Sequence, residues 1–420
     1  AYRGAGRPES TFIVERLVDL LAYELKMDPV DVRRKNLIPP FKDGYPVATG
    51  IVYDSGNYEA ALNKVLEMAD YKKLRAQQKE MRAKGQYLGI GFCTYAEICG
   101  LGPSQVAGAV GFGGGLWESA IVRFHPSGKV NVMVGISPHG QGEETTFAQI
   151  VANELGVGVD DVEIMHGDTD QTPMGWGSYG SRSTAVGSGA LMSAIGKIKE
   201  KSKIVTAHLL EASPADIDYA DGKFFVKGSP DKFKTIQDVA LMANVAWNMP
   251  KGVEPGLEAT SFFDPPNFVY PFGAHIAVVQ VDPETGEIAL KRYIAVDDCG
   301  KVINPVIVAG QIHGGIAQGV GQALWEGAIY DDEGQLLTGS LMDYAIPKAE
   351  YFPNFELAMT ETLTNVNPLG VKGIGETGTI ASTPAVYNAV ADALQPLGVK
   401  TLNMPLTPET VWRAIREARS

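Results

Sequence analysis

The chain has 420 residues, 45% hydrophobic and 20% charged, a size and mixture that suit two or more globular domains. Its net charge of −13 argues against a general nucleic-acid or anionic-membrane surface, although a pocket of backbone amides could still hold a phosphate. Three cysteines, Cys93, Cys99 and Cys299, lack metal-ligand spacing and are too few for a disulfide scaffold or a four-thiolate cluster, so a reducing, cytoplasmic setting is expected.

In chain order, Pro8-Glu9-Ser10 is followed by apolar positions Phe12, Ile13, Leu17, Leu20, Leu21 and Leu25 at helical spacing, with proline in the first turn. Turn chemistry at Pro39-Pro40 and Asp43-Gly44 separates this from a second, charged helical stretch over 57–84. From about residue 87 the pattern turns to strands. Ser119 to Phe124 and Lys129 to Val134 flank His125-Pro126-Ser127-Gly128, a hairpin signal, before Gly140-Gln141-Gly142 and a helical run from Glu143 to Leu155. Residues 184–212 read as a long helix and 213–260 as a polar connection with some strand.

A second copy of the plan follows. Ile276 to Val281 and Glu287 to Val296 flank Asp282-Pro283-Glu284-Thr285-Gly286, and Gly310-Gln311 leads a helical run to Leu324. The expectation is an α+β fold of pseudo-repeated modules with mixed sheets and helices, divided at 1–86, 87–260 and 261–420. No run reaches the roughly 18 apolar residues of a membrane span, and no signal peptide opens the chain. Because the sequence starts inside what reads as a motif, a natural N-terminus further upstream is expected.

Several glycine loops carry polar side chains beside helix starts. Gly373-Ile374-Gly375-Glu376-Thr377-Gly378 holds a lone carboxylate where orphan N–H groups and a positive dipole end converge. Glu376 is either a base acting on whatever the amides hold or a surface residue of a glycine turn. Arg3 and Arg7, around Gly4 and Gly6, could bind an anion or sit solvated at a helix entry. Gln141, beside His139, Gly140 and Gly142, could hydrogen-bond a ligand, while His139 reads more simply as a loop histidine.

Ser181, Arg182 and Ser183 form a candidate anion cradle; Asp168 and Asp170 read as turn formers. Gln311 lies beside small residues, where close helix packing accounts for Gly314, Gly315 and Gly319. No Ser–His–Asp order, phosphate-loop signature or HExxH is present. The loops suit one large polyanionic cofactor better than separate sites.

Together these segments, from Ala1-Tyr2-Arg3-Gly4-Ala5-Gly6-Arg7 to the Glu376 loop, resemble the molybdenum-binding large subunit of the xanthine dehydrogenase/molybdenum hydroxylase family. The likeness is to the carbon monoxide dehydrogenase-like branch and to the C-terminal half of that subunit. The resemblance implies a molybdenum–molybdopterin cofactor, as its cytosine dinucleotide, with no direct protein ligand to the metal. It makes Glu376, with Gly375 beside it, the catalytic base. His139, Gly140, Gln141, Gly142 and Gln311 match pterin contacts, Ser181, Arg182 and Ser183 the cofactor's surroundings, and Arg3 and Gly4 the loop beside the metal.

Ala5, Phe112 and Trp117 match the substrate pocket, although the two aromatics also read as core residues beside a flexible loop. Copper-dependent relatives carry Cys where this chain has Gly4, and purine-oxidising ones carry Phe where it has Ala5. Neither copper chemistry nor purine specificity is therefore expected; an aldehyde or N-heteroaromatic substrate is. The family's N-terminal half is missing from this sequence. The implied partners are that half, a [2Fe–2S] subunit and an FAD subunit, in a dimer of heterotrimers. A chain that only completes another half's site, without activity of its own, is the competing expectation.

Overall fold

The computed structural model describes residues 2–109, 111–399 and 401–419; Ala1, the first residue of the opening motif, lies outside them. Helices α1 (Arg7–Leu25), α2 (Pro29–Asn36), α3 (Tyr58–Ala69), α4 (Tyr71–Ala83), α5 (Ser104–Ala109) and α6 (Glu143–Leu155) precede α7 (Ser188–Leu209), α8 (Ile236–Val245), α9 (Pro305–Leu324), α10 (Thr377–Leu394) and α11 (Pro408–Arg419). The strands begin with β1 (Tyr45–Pro46), β2 (Val52–Tyr53), β3 (Tyr87–Ala96), β4 (Glu118–Phe124), β5 (Val130–Val134) and β6 (Val162–Met165). They continue with β7 (Ile217–Ala220), β8 (Lys223–Val226), β9 (Ser229–Thr235), β10 (Leu257–Phe263), β11 (Phe272–Val281), β12 (Ile288–Asp298) and β13 (Phe355–Thr360).

The two expected hairpins form. Gly128 at φ 85° and Gly286 at φ 76° take the left-handed turn positions, and His125 N–H to Lys129 O and Asp282 N–H to Glu287 O close the loops. Each hairpin then continues alike. A helix, α6 or α9, carries the chain to a third strand parallel to the second, β6 on β5 and β13 on β12. A loop then leads into a second helix, α7 or α10, that covers the sheet. Both modules thus share one element order and build two four-stranded sheets, β10-β4-β5-β6 and β3-β11-β12-β13.

The modules also exchange a strand. β3 precedes the first hairpin in the chain but pairs with β11, and β10 precedes the second but pairs with β4. A boundary at residue 260 therefore falls inside β10, and the connection expected as polar with some strand holds a three-stranded sheet, β7-β8-β9, together with α8 and its Thr235–Asp238 capping box. The match of Gly310-Gln311 to Gly140-Gln141 does not survive as an equivalence. Asn304 caps the Val306 and Ile307 N–H groups and Pro305 takes the first helical position, so α9 starts earlier and Gln311 lies within it. The helix expected over 57–84 is two, because Asp70 at φ 46° turns the chain between α3 and α4.

Small residues set how closely the helices approach. A Cβ on Gly91 would stand 2.1 Å from Ala385 O, so the α10 backbone lies directly on β3. Gly315 and Gly319 face Gly378 and Ser382 in the α9–α10 contact, whereas Gly314, expected to share that role, meets only Arg3 and lines the cavity described below. Helix α1 reverses the usual order. Glu15 and Asp19 are buried against Arg33, while Ile13, Val14, Leu17, Leu21 and Leu25 are exposed. Phe12 packs edge-on against Tyr387 of α10.

Candidate active site

The loops ahead of α1, α6, α7 and α10 converge with one face of α9 around a cavity of about 840 Å³, within the range of cofactor and ligand sites. Its walls bring together Arg3, Ala5, His139, Gly140, Gln141, Ser181, Ser183, Gln311, Gly375 and Glu376, residues scattered over the whole sequence.

Glu376 occupies the N-cap position of α10, whose first turn is fully buried; its carboxylate bonds none of that turn's N–H groups but sits at the positive end of the helix dipole. One oxygen accepts from the Gly4 N–H at 3.1 Å and from Arg7 Nη2 at 3.0 Å; the other accepts from Ser181 Oγ at 2.6 Å. Gly4 itself does not line the cavity. It is held at φ 97°, and a Cβ there would stand 2.6 Å from Pro8 Cγ. The position requires glycine both for its backbone and because proline fills the side-chain space. Ser181 adopts φ 50°, a costly region for a non-glycine residue, which aims its hydroxyl at the carboxylate.

Arg3 joins α9 to the Glu376 loop. Its Nε donates to Gly375 O, Nη1 to Gln318 Oε1 at 2.9 Å, and Nη2 to both the backbone and side-chain oxygens of Gln311 at 3.1 Å. Burial draws its proton affinity below that of a free guanidinium. On the opposite wall, Gln141 folds back on its own loop. Its carbonyl accepts from the His139 N–H and its amide donates to Ser137 O. Ser183 Oγ bonds Ser178 Oγ, which donates to Glu143, a buried carboxyl pushed up by desolvation. Gly142 caps α6 beneath the side chain of Ile307 rather than at the cavity surface.

Besides Gly4 and Gly142, three expected site residues lie away from the cavity. Arg182 is fully buried and turned inward. Its guanidinium pairs with Glu118 and donates to the backbone oxygens of Leu101, Leu116, Trp117 and Gly177, so none of its donors is left for a ligand. An arginine next to two serines at a helix start carries the sequence signature of an anion cradle, but the buried Glu118 on β4 claims it. Phe112 is exposed and packs edge-on against Trp176, and Trp117 packs likewise against Phe262. Neither reaches the cavity wall.

Sequence reasoning missed Glu97, Glu143, Gln318, Lys301 and Asn304 as members of the site or its immediate surroundings. Glu97 directly follows the apolar strand β3 and is not part of any of the glycine loops singled out, so it was passed over. Arg7 was visible beside Arg3, but its contact with Glu376 depends on α1 packing against α10.

Glycines leave open walls for a large planar group. Gly140 and Gly310 line the cavity, and a Cβ at either would meet nothing within 4 Å. With the amides, hydroxyls and α-helix N-termini around them, the residues present fit a bulky anionic cofactor. Among the described residues, no helix is long and apolar enough to cross a membrane.

Family models for molybdopterin cofactor-binding domains match residues 1–37 and 64–353. The chain is 42% identical to the carbon monoxide dehydrogenase large chain of Hydrogenophaga pseudoflava, over 99% of this chain and 52% of that one. It is 37% identical to the nicotine 6-hydroxylase large subunit of Paenarthrobacter nicotinovorans, over 99% and 51% of the two chains. The structure of quinoline 2-oxidoreductase from Pseudomonas putida 86 superposes with a TM-score of 0.93 at 39% identity, covering 99% of this chain and 53% of that one. The chain thus spans about half the length of the curated relatives it matches. With a cavity built from the matched segments, this chain belongs to the molybdopterin cofactor-binding family, on the carbon monoxide dehydrogenase-like branch of the xanthine dehydrogenase group.

Proposed function

We propose that this chain is the catalytic half of a molybdenum hydroxylase large subunit, oxidising an N-heteroaromatic compound or an aldehyde with oxygen drawn from water. The observation that carries the reading is Glu376, a carboxylate fixed by three donors at the mouth of a helix and facing a cofactor-sized cavity. The molybdenum–molybdopterin cofactor, as its cytosine dinucleotide, would supply the two-electron acceptor and activate the water-derived oxygen.

The chain's own residues do the rest. Gly140, Gln141, Ser183 and Gln311 would hold the pterin, and Arg3 fixes Gln311 and Gln318 in place for it. Glu376 takes the proton released as oxygen is transferred, and the Gly4 N–H, Arg7 and Ser181 keep the accepting oxygens aimed. Ala5 leaves room above this centre. At Gly4 the backbone angle and Pro8 exclude a thiol side chain, which speaks against a copper-bridged centre and CO as the substrate.

The row Ile13, Val14, Leu17, Leu21 and Leu25 on α1 supports a dependence on a further half of the subunit, since so long an apolar stripe is normally covered. An iron–sulfur subunit and an FAD subunit would carry the electrons away, in a cytoplasmic dimer of heterotrimers. Molybdenum content, measured by elemental mass spectrometry on the complex containing both halves, tests the assignment. Near-stoichiometric molybdenum is expected; a folded complex without it would refute the reading.

A further inference from the structure

Behind Glu376 lies a second carboxyl group that the proposed reaction has not used. Glu97 follows β3, is 2% exposed, and points into the same small space as Arg7. Arg7 divides its donors between the two acids. Nη1 bonds Glu97 Oε1 at 2.8 Å and Ile98 O at 2.6 Å, Nη2 bonds Glu376 Oε1 at 3.0 Å, and Nε bonds Gly4 O at 2.7 Å. Glu97 Oε2 is left buried with no donor directed at it. An ionised oxygen in that position would carry an uncompensated desolvation cost.

A proton resolves the conflict. Arg7 holds the two side chains together, Nη1 on Glu97 Oε1 and Nη2 on Glu376 Oε1, so a proton on the unpartnered Glu97 oxygen removes the buried charge and supplies a donor beside a carboxylate. We propose that Glu97 is the proton-holding partner of Glu376, the two carboxyls sharing one proton with Arg7 clamped across them. Glu97 acts through Glu376 and is a positioning residue. Two like charges in one site cannot both ionise readily, the general reason paired carboxyls hold a proton between them.

The wider surroundings agree. Desolvation pushes the Glu97 carboxyl well up; Arg7 pulls it back, and the charges of Glu376 and, from β12, Asp297 push it further. Among the described residues, Arg3, Tyr95 and Cys99 are the further titratable or charged groups that feel its charge. Arg3 is committed to Gly375, Gln311 and Gln318, so Arg7 is the cation that contacts both acids. Tyr95 donates to Asp297 and Cys99 to Ser181 O, which leaves neither as a donor to Glu97.

The inference rests on the reading of Glu376 as the proton acceptor, and the test separates the two. In the complete enzyme, infrared difference spectra at neutral pH should show a protonated-carboxyl band that disappears in Glu97→Gln and shifts in Glu376→Gln. The amide of Glu97→Gln keeps one acceptor for Arg7 and one donor for Glu376, whereas Glu97→Ala removes both. Turnover should therefore fall about tenfold or more further in Glu97→Ala than in Glu97→Gln, the size expected for a hydrogen bond to a charged group. The alkaline limb of the kcat profile should be absent in Glu97→Gln, because no second carboxyl remains to ionise beside the base.

Loss of no infrared band in Glu97→Gln, or a fall as deep as that of Glu97→Ala, would overturn the shared proton. Should Glu97→Gln fail to fold, the band shift in Glu376→Gln decides the question alone, and an unmoved band overturns the proposal. If the bands behave as expected while Glu376→Gln retains its turnover, the pair stands and the catalytic reading of Glu376 fails.

Discussion

The two modules end in equivalent junctions with opposite chemistry. Where β6 gives way to α7, the junction buries an arginine, Arg182, and spends every donor on Glu118 and four backbone oxygens. Where β13 gives way to α10, the junction presents a carboxylate, Glu376, held by donors from elsewhere in the chain. Both stand at a helix start whose entry loop lines the same cavity, although Arg182 itself is turned away from it. The first is locked by its own module, while the second borrows Arg7 and Gly4 from α1 and its entry, and Ser181 from the first junction. On the proposed reading, a repeated scaffold is split into a locked junction and a working one, and the carboxylate proposed to work is the one whose partners come from other elements.

If that division is right, substitutions at the two junctions should fail in different ways. Glu376→Gln keeps the shape of the site and the Ser181 and Gly4 contacts while removing the proton acceptor. Turnover of the complete enzyme is expected to fall about 10²- to 10⁴-fold with thermal stability nearly unchanged. Near-normal turnover would return Glu376 to the status of a turn residue. Arg182→Met should do the reverse. It leaves Glu118 buried and unpaired, at a cost of about 3–5 kcal/mol in denaturant unfolding, so the protein should be lost before any change in chemistry can be read. Stable, active Arg182→Met would mean that the first junction is not the locked wall described here.

Much of this was legible in the sequence, and for an identifiable reason. Hairpin turns, helix starts and glycine loops are local signals, so both modules, their shared order and Glu376 at a helix entry could be read from spacing. The exchange of β3 and β10 between sheets could not, because strand partners more than a hundred residues apart leave no local mark. Arg182 misled for the same reason: its neighbours Ser181 and Ser183 describe an anion site, and the acid that claims it is 64 residues away. Glu97 was invisible since its meaning is conferred by Arg7, 90 residues earlier, and by Glu376. Family resemblance brought the distant segments into one site before any coordinates did, yet could not tell which side chain of a matched motif faces inward.

Gly4 sharpens the comparison at lower cost. It donates its N–H to Glu376 from a left-handed backbone angle, with Pro8 filling the space a side chain would need. Gly4→Cys places a thiol where the family resemblance implies one in copper-dependent relatives, yet the local conformation opposes it. A destabilisation of about 1–3 kcal/mol is expected, with a displaced Glu376 contact and no stoichiometric copper in the purified complex. A well-folded variant that retained copper would show the loop to be more permissive than the Pro8 contact implies.

The smallest effect belongs to a residue remote from both junctions. Phe112 was an expected member of the substrate pocket, but the residue is 45% exposed and its ring contacts Trp176 at a centroid distance of 5.5 Å. If the cavity between the two junctions is where substrate binds, Phe112→Ala loses only that ring contact, about 1 kcal/mol or less. The relative kcat/KM values across a panel of aldehydes and N-heteroaromatics should keep their order, because no wall of the cavity has changed. A reordered panel would place the substrate outside the space bounded by Ala5, Ser181 and Glu376, and would make the exposed glycine loop around Phe112 part of the binding surface.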